Sequence, residues 1–261
     1  MTVIKVHEKP VLKNPILIEG LPGVGNIGRV AVGYLVSELK AKKFATLYSK
    51  WFFPFVMLHD NYMIHLLKNE FYYWKAKKPG QRDLILLIGD CQSLSPQGHY
   101  EISDKVLDFA QEYGTKELFT VGGLATGDAE TKKPVTGAVT DEALLKKYKG
   151  IGIDFNAGEK VGYIVGAAGL LLGLGKERDM EGVCLLGQTS GFPIVTDPKA
   201  AETVLNVLVK ILKIDIDMTK LDKKVKEMEG FIRKVEGLQK KALMELSKPS
   251  KSKDEELRYI G

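Results

Sequence analysis

The sequence of 261 residues predicts an α/β fold in three layers, in which a mainly parallel mixed sheet is flanked by helices. Three features lead to this prediction. Short apolar runs typical of buried strands alternate along the chain with longer segments whose apolar residues recur at helical spacing. The run Leu84–Ile88 is apolar throughout, as expected for a strand that is covered on both faces. A glycine-rich turn, 20–28, joins the first predicted strand to the first predicted helix.

Strands and helices are predicted in alternation up to residue 212. The strands are expected at Pro15–Glu19, Phe44–Tyr48, Leu84–Ile88, Leu118–Val121 and Val183–Leu186, with a meander of two or three antiparallel strands inside Trp51–Trp74. A turn is expected at Gly122-Gly123, directly after a strand. The helices are expected at Val30–Leu39, Tyr100–Tyr113, Asp141–Tyr148, Ile164–Leu174 and, begun by the Asp197-Pro198 cap, from there to Leu212.

The C-terminal part of the chain differs, and we divide the sequence into an α/β domain at 1–214, a helix at 215–246 and a flexible tail at 247–261. Apolar residues of the helix recur in steps of four and three, which forms a heptad seam flanked by Lys and Glu. The seam consists of Leu221, Val225, Met228, Ile232 and Val235. Two interpretations remain open: the helix packs back on its own domain, or it serves oligomerisation or partner binding.

The tail combines a polar leash with a hydrophobic tip. Residues 247–256 contain no apolar residue, a composition typical of disordered segments. The tip offers Leu257, Tyr259, Ile260 and Gly261 as candidate partner-binding residues. The alternative is a frayed end without a function.

Composition and charge argue against several classes of protein. The net charge is +5, but lysines and acidic residues are interspersed, so no basic patch indicates nucleic-acid binding. No run reaches the roughly 18 apolar residues of a membrane span, and residues 1–9 lack a signal peptide. Cys91 and Cys184 lie in apolar runs and are expected to be buried, and two isolated cysteines are not a disulfide framework. We therefore expect a cytoplasmic protein with neither nucleic acid nor membrane as a partner.

The glycine-rich turn contains Gly23, Gly25 and Gly28 at the spacing of the dinucleotide-binding pattern G-x-G-x-x-G. This context makes the three glycines a candidate phosphate loop, because backbone N–H groups at a helix start can hold a phosphate. The acid that should follow the next strand to hold a ribose is missing from 47–50, and the Lys-Ser/Thr of a P-loop is replaced by Asn26-Ile27. The alternative is a tight turn that needs glycine for close packing, and no cofactor is predicted.

Candidate catalytic and metal-binding groups are scarce. Asp90, Ser93 and His99 follow a central strand and could form a catalytic set, but no G-x-S-x-G nucleophile elbow supports one. The four histidines and two cysteines form neither an H-x-x-x-H nor a C-x-x-C pair. We therefore predict no catalytic and no metal site.

Three segments carry a resemblance to a known family. They are Ile18-Glu-Gly-Leu-Pro-Gly-Val-Gly25, Val121-Gly-Gly-Leu124 and Asp197-Pro-Lys-Ala-Ala201. In order and spacing the sequence resembles the archaeal branch of the proteasome assembly chaperone family from about Pro15 to Leu212.

The resemblance implies a fold similar to that of nucleoside phosphorylases and a homo-oligomeric, ATP-independent, non-enzymatic protein. Its implied partners are proteasome core-particle subunits or a sister protein of the family. Proteasome activators end in hydrophobic-Tyr-X, whereas here Tyr259 is third from the end and Arg258 occupies the hydrophobic position. The alternative function is an enzyme that acts on a nucleoside, nucleotide or phosphorylated small molecule through the Gly20–Gly28 loop.

Overall fold

The computed structural model describes residues 1–58, 62–126, 134–156, 162–189 and 196–246. Strands β1 to β11 span, in chain order, Thr2–Val6, Ile16–Gly20, Lys42–Ser49, Val56–Leu58, Ile64–Leu66, Asn69–Trp74, Leu84–Gly89, Glu117–Ala125, Val135–Val139, Ile153–Asp154 and Glu181–Thr189. Helices α1 to α6 span Ile27–Glu38, Pro96–Glu112, Glu142–Lys147, Ala167–Lys176, Pro198–Leu212 and Leu221–Leu246. Each helix and strand predicted from the sequence is present, with ends shifted by a few residues.

Most of the strands form one mixed sheet. In the described ranges, nine strands are ordered β1-β3-β6-β7-β2-β8-β11-β9-β10. The four central strands, β7, β2, β8 and β11, run parallel to one another. On both sides of this centre the next strand is antiparallel, β6 to β7 and β9 to β11. The predicted α/β class with a mixed, mainly parallel sheet is confirmed, and β4 and β5 form a separate antiparallel hairpin.

Two hydrophobic cores lie on opposite faces of the sheet. Adjacent residues of β2 point to opposite faces, so that Ile16 and Ile18 belong to one core and Leu17 to the other. Helices α1 and α5 cover the first face, and α2 and α4 cover the second. The predicted burial of Cys91 and Cys184 is confirmed, since both are free thiols in the second core.

The chain connections open a crevice at one edge of the sheet. Strand β2 leads into α1 on the first face, whereas its parallel neighbour β7 leads into α2 on the second face. The loops that follow these two strands therefore diverge. In open α/β sheets such a divergence at the carboxyl ends of parallel strands is where ligands bind.

The turn predicted at Gly122-Gly123 is wrong. Both residues lie inside β8, which stays paired with β11 up to Ala125. A Cβ atom on Gly123 would lie 2.1 Å from the carbonyl oxygen of Val24. Gly123 is therefore needed because the loop after β2 crosses the strand in close contact, and not because the chain turns. Strands β1, β9 and β10 were not predicted, since β1 is mostly solvent-exposed, β9 has a glycine at its centre and β10 has only two residues.

The C-terminal helix α6 runs across the carboxyl edge of the sheet. Its first seam residues, Leu221 and Val225, are buried in the core on the α1 side, and Val235 is buried in the core on the α2 side. Ile232 is buried and Met228 partly buried. The seam thus packs on its own domain, as one of the two interpretations had it, while a role in oligomerisation stays a prediction.

Close packing at Gly28 is open to a direct test. A Cβ atom at Gly28 would lie 2.4 Å from the carbonyl oxygen of Val121, so that Gly28→Ala must push α1 away from β8. We expect a loss of about 1–3 kcal/mol in the free energy of unfolding, measured by denaturant titration. The control is Gly173→Ala in α4, where a Cβ would meet nothing within 4 Å and should be neutral or stabilise by up to about 1 kcal/mol. Equal stability of the Gly28 variant and wild type would contradict the close contact.

Candidate functional site

A crevice of about 1040 Å³ lies at the carboxyl ends of the central strands. Its walls are the loop after β2 (21–26), the loop after β7 (90–94), the start of α4 and the inner side of α6. Apolar atoms dominate its lining, and the main polar groups are Glu19, Asn26, Arg29, Asp90, Gln92 and Glu236. This combination of an apolar wall with a few convergent polar groups is typical of small-molecule sites.

The loop after β2 owes its shape to glycine. Gly25 and Asn26 both have positive φ, +63° and +51°, and α1 begins at the next residue. A Cβ at Gly20 would lie 2.3 Å from the carbonyl oxygen of Gly28, so that β2 and α1 approach each other at this point. Gly23 has an extended backbone, and a Cβ there would make ordinary contact with Gln92 Nε2 at 3.6 Å. Close packing and positive φ therefore account for Gly25 and Gly28, and phosphate binding by the loop stays a prediction.

Gln92 joins two walls of the crevice. Its Nε2 donates to the carbonyl oxygen of Pro22 at 2.7 Å, and its Oε1 accepts from the N–H of Ala167 at 2.8 Å. The side chain thus fixes the glycine loop relative to the first turn of α4. Because both its Nε2 and its Oε1 are hydrogen-bonded within the protein, we interpret Gln92 as a residue that maintains the shape of the crevice.

Asn26 and Glu236 connect the glycine loop to α6. Asn26 Nδ2 donates to Glu236 Oε1 at 2.7 Å. Burial raises the pKa of Glu236, and the hydrogen bond from Asn26 opposes this rise. Asn26 Oδ1 and Glu236 Oε2 are buried without a hydrogen-bond partner. A carboxyl group therefore lies beside the N-terminus of α1, where a bound phosphate would need to be.

Glu19 is a buried acid at the end of a strand that is otherwise apolar. The residue is 1% exposed, and its Oε1 accepts from the N–H of Leu21 at 2.8 Å. Its Oε2 has no hydrogen-bond partner. Burial raises the pKa of Glu19 to about 8, which the backbone hydrogen bond from Leu21 only partly opposes. At neutral pH the carboxyl group is therefore mostly protonated, and its hydroxyl group is a donor without an acceptor.

Two charged residues of the crevice, Arg29 and Asp90, make hydrogen bonds to neighbouring groups. Arg29 Nε donates to the carbonyl oxygen of Gly89 at 3.0 Å. Burial lowers the pKa of Arg29, but the nearby Asp90 opposes this, and an arginine remains charged. Asp90 Oδ2 lies 2.6 Å from His65 Nε2 and accepts from the N–H of Lys68 at 3.1 Å. Asp90 thereby ties the β4–β5 hairpin to the end of β7.

The three residues of the candidate catalytic set lie in the same crevice, but Asp90 and Ser93 make their hydrogen bonds to other residues. Asp90, Ser93 and His99 all line the crevice. Asp90 is engaged with His65, and Ser93 Oγ donates to the carbonyl oxygen of Ser95. Burial lowers the pKa of His99, which favours the neutral imidazole. Among the described residues, no group of three or more His, Cys, Asp or Glu side chains could hold a metal ion. No helix in the same ranges is long and apolar enough to cross a bilayer.

Comparison with known proteins places the chain in a family. A sequence profile of the PAC2 family matches residues 17–236. The chain belongs to the PAC2 family. It is 38% identical over 257 residues to an uncharacterised protein of Methanocaldococcus jannaschii, in a match that covers 98% of this chain and 96% of that protein. This confirms the resemblance seen in the sequence motifs.

Two solved structures from Pyrococcus furiosus share the PAC2 fold. PbaB, an archaeal proteasome activator, is 46% identical with a TM-score of 0.81, and the match covers 90% of this chain and 98% of PbaB. PbaA, an archaeal homolog of proteasome-assembly chaperone, is 25% identical with a TM-score of 0.74, covering 93% of this chain and 100% of PbaA. The architecture of this chain is thus similar to that of an archaeal proteasome activator and of an archaeal homolog of proteasome-assembly chaperone.

Sequence reasoning missed most of the polar groups in this PAC2 crevice. Glu19 carries a recognisable signal, since a carboxylic acid that ends an otherwise apolar buried strand is costly unless it is used. Gln92, Asn26 and Glu236 carry none, because their importance comes from partners distant in the sequence. The predicted partner-binding residues Leu257, Tyr259, Ile260 and Gly261 lie outside the described residues.

The buried acid predicts how the stability of this PAC2 protein depends on pH. Below pH 4.5 Glu19 is neutral in both the folded and the unfolded chain. Between pH 4.5 and about 8 it ionises only in the unfolded chain, so the free energy of unfolding falls across this range. Above about pH 8 the loss is complete. Glu19→Gln cannot ionise and retains an acceptor for Leu21. We expect the variant to match wild type near pH 4 and to exceed it by a few kcal/mol at pH 8, measured by denaturant titration. A stability difference that does not change with pH would contradict a neutral Glu19.

The docking of α6 makes a second prediction. Val235→Asp places a charge where Val235 packs, and we expect this to cost about 2–4 kcal/mol of docking. Hydrogen exchange should then accelerate in 221–246, while the central strands keep their protection. The control Lys226→Asp changes an exposed position of the same helix and should leave exchange near wild type. Unchanged protection of α6 in the Val235 variant would show that the helix does not depend on this contact.

Proposed function

We propose that this PAC2 protein is a homo-oligomeric, ATP-independent, chaperone-like protein that binds the proteasome core particle or a sister protein of its family. The observation that carries the proposal is the similarity to PbaB, at 46% identity over 90% of the chain. PbaB is an archaeal proteasome activator, and PbaA is a homolog of proteasome-assembly chaperone. Identity of this size across nearly the whole chain supports a related partner.

An exposed apolar surface supports a role in protein binding. On the β4–β5 hairpin, Val56 lies opposite Leu66 and Leu58 lies opposite Ile64. These four side chains are 47–69% exposed, whereas Met57, on the other side of the hairpin, is buried. Clustered apolar side chains at the surface are typical of interaction sites. Lys234 of α6 donates to the carbonyl oxygen of Leu58 at 2.8 Å, so the hairpin and the C-terminal helix are connected.

The glycine loop supports ATP independence. It lacks the Lys-Ser/Thr pair that a P-loop uses to hold phosphates and Mg²⁺. Gly28 serves a close contact with β8, and Glu236 is hydrogen-bonded to Asn26 at the start of α1. A carboxyl group at this position would repel a nucleotide phosphate when ionised. Binding of the proteasome would accordingly draw on contact energy alone.

Self-association would give the tail its strength. An isolated five-residue tip, 257–261, can make only a small contact with a partner. An oligomer presents several tips together, and linked weak sites gain affinity because the later binding events become intramolecular. The polar leash 247–256 would allow each tip to reach its own site.

The tail is tested by deletion of residues 247–261 from the full chain. We expect the full chain to bind immobilised archaeal core particle without nucleotide, and the truncated chain to bind at least about tenfold more weakly because avidity through the tips is lost. Tyr259→Ala, with Tyr259→Phe as its matched control, separates the aromatic contact from the leash. Equal binding by the truncated chain would show that the folded body, and not the tail, binds the core particle. Absence of binding by the full chain would contradict the proposal.

A further inference from the structure

We propose that the crevice at the carboxyl ends of β2, β7 and β8 is a binding site for an uncharged small molecule that presents a lactam edge on an apolar body. In a lactam, a carbonyl acceptor and an N–H donor lie side by side in a ring. The crevice offers a donor in Glu19 and an acceptor in Asn26, and both side chains are buried at its wall. This site is independent of the proteasome-related function proposed above.

Glu19 supplies the donor. Its Oε1 is engaged by the N–H of Leu21, and its Oε2 is buried without a partner. A carboxyl group buried beside apolar strands, with no hydrogen-bonded cation, is more stable in the neutral form. Its remaining hydroxyl group needs an acceptor, since a buried polar group without a hydrogen-bond partner is destabilising. A ligand carbonyl would satisfy it.

Asn26 supplies the acceptor. Its Nδ2 donates to Glu236 Oε1 at 2.7 Å, which fixes the orientation of the amide group. The other end of the amide, Oδ1, is therefore an acceptor, and it is buried without a partner. Asn26 is 0% exposed and lines the same crevice as Glu19. A ligand N–H would complete its hydrogen bonds.

The charges around the crevice favour an uncharged ligand over an anion. The guanidinium of Arg29 is held by the carbonyl oxygen of Gly89 and lies near Asp90. The carboxyl of Glu236 lies beside the loop and would repel a phosphate or carboxylate when ionised. The ionisable groups that line the crevice with Glu19 are Arg29, Asp90, Cys91, His99, Tyr163, Glu236 and Lys240, and Cys184 lies near Glu19 in the neighbouring part of the sheet. They carry both signs, so neither sign of ligand charge is selected.

The walls favour an apolar body. Leu124 and Leu186 line the crevice from the sheet, Phe53 and Ile164 line it from loops, and Ile232 and Val235 line it from α6. A volume of about 1040 Å³ is sufficient for a ligand of two or more fused rings. The ligand would lie beneath α6, so its contacts with Ile232 and Val235 should also strengthen the docking of that helix.

The test uses quinolin-2(1H)-one as the lactam probe and its N-methyl derivative as the matched control. Methylation removes the N–H donor and leaves the rings and the carbonyl group. With the full-length protein at pH 6.5, ligand-observed NMR titration should show binding of the lactam, and at least about tenfold weaker binding of the N-methyl compound. Absence of lactam binding, or equal binding of the two compounds, would overturn the proposal.

Two variants identify the donor. Glu19→Gln keeps an N–H donor and should bind the lactam within about threefold of wild type, whereas Glu19→Leu should weaken binding at least about tenfold. Circular dichroism confirms that each variant is folded. Above pH 8 the affinity of wild type should fall by up to about tenfold per pH unit as Glu19 ionises, while that of Glu19→Gln stays level. If Glu19→Leu binds as wild type, or if wild type and Glu19→Gln share one pH profile, Glu19 is not the donor and the proposal is wrong.

Discussion

The contact between the glycine loop and β8 determines how the rest of the molecule is arranged. Gly28 lies against the carbonyl oxygen of Val121, and Gly123 lies against that of Val24, at distances that leave no room for a Cβ. Because α1 and β8 approach so closely, the loop after β2 lies directly on the carboxyl edge of the sheet. The same contact holds Asn26 at the crevice wall, where α6 can reach it.

The crevice formed beside this contact contains several buried polar groups without partners. Glu19 and Asn26 line the crevice beneath α6, Glu236 lines it from that helix, and each of the three retains an oxygen without a partner. A domain of this size can tolerate such groups because two extensive cores stabilise it. Buried polar groups without partners are uncommon in native proteins, and their concentration in one crevice suggests use rather than accident.

The sequence supported the fold better than the site. Continuous apolar runs and the Asp197-Pro198 cap located the central strands and helices, because burial on both faces and capping leave local patterns. The turn predicted at Gly122-Gly123 was wrong, since a glycine needed for close approach cannot be told in the sequence from one needed for a turn. The heptad seam of α6 likewise could not reveal its partner, because burial against the chain's own body and burial against another subunit require the same side chains. Gln92 and Glu236 act through residues distant in the sequence, which no local pattern encodes.

Family membership, the exposed β4–β5 hairpin and the lack of a P-loop together support binding of the proteasome core particle without nucleotide. Native mass spectrometry of the full chain mixed with an archaeal core particle, in the absence of ATP, tests this most directly. We expect a complex whose added mass is a whole number of copies of this chain, present as a defined oligomer. If only the separate peaks of the two proteins were seen at about 100 μM, their binding would be weaker than about −5.5 kcal/mol, and the proposed complex would be contradicted.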